Sequence, residues 1–104
     1  MDKVERAVTC FKEGFSCSQA LLSTYGAQFG LNREMALKVS GAFGGGMGRM
    51  AETCGAVTGA SMVIGLKYGM TRVEDEQTEE KAYSLVKEFV DKFKSRNGSI
   101  ICRE

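Results

Sequence analysis

The sequence predicts an all-α protein, a compact bundle of about five helices with a glycine-rich loop before the fourth. Three observations point there. Apolar residues recur at helical spacing in several segments, strand-like alternation is nowhere sustained, and the chain has no Pro, so its 13 Gly are its main helix breakers. At 104 residues the chain fits one domain, 1–104, without linker or internal repeat.

The first helix opens at Asp2 with Glu5 three residues on, a capping-box arrangement, and carries Val4, Ala7, Val8 and Phe11 as its apolar stripe. Cys10 lies on the flank of that stripe, and Gly14 is a natural stop. The second helix repeats the device with Ser16 and Gln19. It places Cys17 at its first position, sets Ala20, Leu21, Thr24, Tyr25 and Gln28 on the same face, and ends at Gly30. Asn32 caps a third helix, with Met35, Val39, Ala42 and Phe43 expected inward.

Gly41, Gly44, Gly45, Gly46 and Gly48 then crowd into eight residues ending at Arg49, a loop of high backbone entropy. Beyond it, residues 50–68 read as a fourth helix with two faces of small residues. Ala51, Gly55 and Gly59 make one, and Ser61, Gly65 and Gly69 the other. Such faces let a second backbone come close, and a homodimer through them is expected. The last helix has capping oxygens between Thr71 and Thr78 and a stripe of Ala82, Leu85, Val86, Phe89, Val90 and Phe93. Asn97-Gly98 stops it, leaving an apolar tail that contains Cys102.

Composition removes several functions. A net charge of +1 with mixed signs builds no basic field, so nucleic acid is not an expected partner. No stretch approaches a membrane span, and the charged start Met1-Asp2-Lys3-Val4-Glu5-Arg6 lacks a signal's apolar core, so a cytoplasmic protein is expected. The absence of His excludes Ser-His-Asp and Cys-His catalysis and any His-ligated metal.

Cysteine is the remaining carrier of chemistry. In a reducing compartment four Cys read as redox-active, metal-binding or buried. A thiolate is stabilised by the unsatisfied N–H groups of a helix start. Cys17, after the Ser16 cap, and Cys54, in the first turn of the glycine-rich helix downstream of Arg49, are both placed for that. Cys10 reads as inert packing. The loop lacks Gly-Lys-Ser/Thr and follows no strand, so it is neither a Walker loop nor a dinucleotide fingerprint. Gly44, Gly45, Gly46, Gly48 and Arg49 are kept as candidates for approach to an unidentified cofactor, a partner thiol or another subunit.

Four stretches together resemble a known family. They are Cys17-Ser18-Gln19-Ala20, Phe43-Gly44-Gly45-Gly46-Met47-Gly48, Cys54-Gly55-Ala56-Val57-Thr58-Gly59 and Cys102-Arg103-Glu104. The chain resembles the bacterial and archaeal proteins named for their C-GCAxxG-C-C cysteine pattern, whose redox role is inferred from those cysteines. The resemblance covers essentially the whole chain and implies that Cys17, Cys54 and Cys102 are the working positions. Two departures stand out: Thr53 precedes Cys54 where the family name has Gly, and members continue to a fourth Cys whereas this sequence stops at Glu104.

Three functions follow as expectations. In the first, Cys17 and Cys54 cycle between dithiol and disulfide with an unidentified redox partner, and Cys102 is a third thiol. In the second, Cys17, Cys54 and Cys102 hold an iron–sulfur cluster or Zn. In the third, the thiols are only packed and the chain is a helical interaction module.

Overall fold

The computed structural model describes residues 2–69 and 71–101. Five α-helices follow in order: α1 (Lys3–Lys12), α2 (Cys17–Gly26), α3 (Arg33–Gly41), α4 (Gly55–Tyr68) and α5 (Glu76–Asn97). A 3₁₀ turn at Ala27–Phe29 extends α2, and the described residues contain no strand beyond one isolated bridge. The all-α expectation holds.

The predicted caps are the observed ones. Asp2 Oδ1 accepts the Glu5 N–H at 2.8 Å, and Asn32 Oδ1 accepts the Met35 N–H at 2.7 Å. At α2 the box closes both ways: Ser16 Oγ accepts from Gln19 N, and Ser16 N donates to Gln19 Oε1 at 3.0 Å. Asp75 caps α5, and Gly98 ends it in the left-handed region at φ 83°. Ser16→Ala should lower stability by about 1 kcal/mol, the usual worth of an N-cap. Thermal unfolding of the two proteins measures it, and an unchanged midpoint would mean the cap does not hold the start of α2.

α2 is the centre of the fold, with α1, α3 and α4 all packed against it. Its Ser18, Ala20, Leu22, Ser23 and Gly26 are buried, so it is enclosed on more than the single face its apolar pattern suggests. α2 and α4 run in the same direction. A β-carbon at Gly55 would meet Ser18, one at Gly59 would meet Leu21, and one at Gly26 would lie 3.3 Å from Leu66.

Three sequence expectations need correction. In α3 the inward residues are Ala36 and Ser40, while Met35 and Val39 are about half exposed. In α1 the inward residue is Cys10, and Val4, Val8 and Phe11 are exposed. In both, small side chains make the intrachain contact, because small residues let helices close on α2, and the larger apolar stripe is left outside. The third correction is the start of α4, at Gly55 instead of residue 50.

That shift has a backbone cause. Gly45, Gly46, Met47, Gly48 and Arg49 all have φ between 63° and 75°, and Ala51 follows at 57°. The segment coils left-handed and cannot lead directly into α4. It is closed by its own hydrogen bonds, from Arg49 N to Gly44 O, Ala51 N to Gly45 O and Glu52 N to Gly46 O. Glycine makes this affordable at three of the positions, whereas each L-residue there costs roughly 1–2 kcal/mol.

Candidate functional site

Cys17 is the first residue of α2 and is exposed. Its neighbours fix its position. Ser18 is fully buried and donates from Oγ to Ser40 O at 3.0 Å, while Gln19 Nε2 donates to Leu37 O at 3.1 Å. These two bonds tie the first turn of α2 to the last turns of α3. Ser40 itself donates to Ala36 O.

Cys54 is half-buried and is the N-cap of α4, although its side chain makes no capping bond. Its backbone is held at both ends. The N–H donates to Ile100 O at 2.7 Å, and the C=O accepts from Val57 N and Thr58 N. The neighbouring Thr53 forms an antiparallel bridge with Ile101. The apolar tail thus returns to the start of α4, a contact no local sequence signal announces.

The glycines after Cys54 bring the two helix starts together. A β-carbon at Gly55 would lie 2.8 Å from Ser18 N and 3.1 Å from Cys17 Cβ. Only a hydrogen side chain fits there. One turn on, a β-carbon at Gly59 would lie 2.9 Å from Leu21 Cβ and 3.2 Å from Ser18 Cα. The spacing of Gly55 and Gly59 is therefore the spacing at which α2 lies on α4. Ala51, expected on the same face, lies outside the helix.

Of the loop candidates, Gly44, Gly45, Gly48 and Arg49 border a cavity of about 430 Å³ that also reaches Ser16 and Gln19. Gly46 is buried. Gly44 has a packing reason of its own, since a β-carbon there would come within 2.9 Å of Ser16 Cβ. The glycine run thus leans on the residue that caps α2 and precedes Cys17.

The remaining cysteines separate. Cys10 is buried at 3% exposure with its Sγ 3.7 Å from Ser23 Oγ, in keeping with a packing role. Cys102 lies outside the described residues, as do Arg103 and Glu104. Among the described residues no group of three Cys, Asp or Glu is arranged to hold a metal ion. No described helix is long and apolar enough to cross a membrane.

A family described as "Putative redox-active protein (C_GCAxxG_C_C)" matches residues 15–104, from just before the Ser16 cap to the last residue. No curated protein and no solved structure matches the chain.

Proposed function

The chain belongs to the C_GCAxxG_C_C family of redox-active proteins, and from that membership we propose that it is a dithiol–disulfide protein in which Cys17 and Cys54 are the cycling pair. The observation that carries this reading is the contact of Gly55, the residue after Cys54, with Cys17 and Ser18. A disulfide requires Cα atoms within ~7 Å, and consecutive Cα atoms are ~3.8 Å apart. The two cysteines also stand at the starts of two helices that run in the same direction. Cys17, at the first position of α2, faces the unsatisfied N–H groups and positive dipole end of that helix.

The chemistry balances with a partner disulfide as oxidant. The Cys17 thiolate attacks one sulfur of that disulfide, forming a mixed disulfide and releasing the first partner thiolate. Cys54, deprotonated, then attacks Cys17 Sγ, closes the internal disulfide and releases the second partner thiolate. The reverse sequence reduces the partner. Cys17 takes the outer role because it is exposed while Cys54 is half-buried. Cys102 is the third thiol of the proposal on the strength of the family membership alone.

Accessibility gives the first test. After full reduction, a neutral alkylating agent should label Cys17 fastest, Cys54 more slowly and Cys10 slowest, with Cys10 reacting only as the fold opens. Mass spectrometry of the time course resolves the three sites. Labelling of Cys10 as fast as Cys17 would contradict the assignment.

A further inference from the structure

Ser18 follows Cys17 in α2 and is fully buried, although its side chain is polar. Its main chain lies against α4. A β-carbon at Gly55 would come within 2.8 Å of Ser18 N, and one at Gly59 within 3.2 Å of Ser18 Cα and Ser18 O. Its side chain bonds a different helix, donating to Ser40 O in the last turn of α3 at 3.0 Å. The same Oγ lies 3.1 Å from Ser16 Oγ, which caps α2. One residue beside Cys17 thus touches α4, α3 and the cap of its own helix.

Packing alone does not call for a hydroxyl here. Alanine would fill nearly the same space with no polar group to take out of water. Ser40 O also accepts from Phe43 N, so that carbonyl stays bonded without Ser18. What the hydroxyl adds is direction, because a hydrogen bond fixes both distance and angle.

The bond also closes a circuit between the two cysteines. From Cys17 it leads through Ser18 to the end of α3. The coil after α3 is tied by its own hydrogen bonds, from residues 49, 51 and 52 back to residues 44–46, and runs on to Cys54. Gly55, next to Cys54, then returns to Ser18 N. Without the hydroxyl, the first turn of α2 keeps its contact with the glycines and one tie to α3, from Gln19 Nε2 to Leu37 O. That tie runs through a longer side chain and holds the turn less closely.

We propose that Ser18 is a positioning residue whose hydroxyl holds Cys17 in register with Cys54. The proposal rests on the reading of these two cysteines as the cycling pair, and it concerns the internal step. There Cys54 attacks Cys17 Sγ of the mixed disulfide and expels the partner thiolate, so alignment of the two thiols decides how readily the ring closes. Attack on Cys17 by an outside reagent does not need that alignment. Equilibration of the full chain with glutathione measures it, since one glutathione disulfide yields two glutathione thiols for each Cys17–Cys54 disulfide formed. The samples would be quenched in acid, alkylated and read by mass spectrometry. Ser18→Ala should lower the equilibrium constant for the internal disulfide about three- to tenfold, near the usual net worth of one hydrogen bond. Reduced Cys17 should still be alkylated within about twofold of the parent's rate. Ser23→Ala is the comparison, because it removes a buried hydroxyl of the same helix that lies beside Cys10 instead of α3. It should leave the constant within about twofold of the parent's. Equal losses in the two variants would make the hydroxyls merely structural and overturn the proposal. An unchanged constant in Ser18→Ala, or loss of its helical circular dichroism when reduced, overturns it as well. A parent protein that forms no Cys17–Cys54 disulfide overturns the cycling pair and this proposal together, whereas the other outcomes leave the pair standing.

Discussion

Gly59→Leu and Gly55→Leu should each destabilise the protein by at least ~1–3 kcal/mol, the ordinary cost of overpacking. The upper end is expected because the atoms in the way are Ser18 N at 2.8 Å from a β-carbon at Gly55, and Ser18 Cα and Leu21 Cβ beside one at Gly59. Backbone cannot rotate aside as the end of a long side chain can. Both replacements would favour an isolated helix, since Gly is a poor helix former, so a large loss would come from the α2–α4 contact alone. Gly98→Ala is the comparison. It sits at φ 83° with no neighbour within 4 Å, and should lose only ~1–2 kcal/mol from the left-handed backbone. Urea unfolding of the three variants gives the order. Leu variants as stable as the parent would mean that α2 and α4 are not in close contact.

Leu22→Ala should cost ~2–5 kcal/mol, a large share of a stability of ~5–15 kcal/mol. Leu22 is the largest fully buried side chain among the described residues, and the rest of the buried set is mostly Ala, Ser and Gly, with Val57 and Cys10. The packed helices around it relax only partly into the cavity that such a truncation leaves. The melting temperature should fall by at least ~8 °C, at 4–8 °C per kcal/mol for a domain of this size. A shift of only one or two degrees would show that α2 is not the centre of the core.

Local features of the sequence carried far. The caps at Asp2, Ser16 and Asn32 are legible because each joins a side chain to a backbone N–H three residues away. The Gly55–Gly59 contact is legible because four-residue spacing puts both on one side of a helix. What was not legible depends on neighbours. Met47, Arg49 and Ala51 have no intrinsic preference for positive φ. They adopt it because the hydrogen bonds from residues 49, 51 and 52 back to residues 44–46 close the coil around them. In α1 and α3 the hydrophobic stripe pointed to Phe11 and Val39, yet contact distance favours the small Cys10, Ala36 and Ser40. The return of Ile101 to Thr53 joins residues far apart in the chain and has no local signature. At the site, the sequence singled out Cys17 and Cys54, and the reason their helices can meet is that Gly follows Cys54. Cys102 is named by the family resemblance alone and lies outside the described residues.

The central claim is that Cys17 and Cys54 are redox partners, and disulfide mapping after mild oxidation tests it most directly. The protein would be fully reduced, exposed to a small-molecule disulfide, quenched with an alkylating agent, digested and read by mass spectrometry. A Cys17–Cys54 linked peptide should form, with Cys10 still alkylatable after unfolding, and Cys54→Ser should instead trap Cys17 as a mixed disulfide with the oxidant. Oxidation that never links Cys17 to Cys54, while Cys10 is consumed as readily as either, would contradict the account.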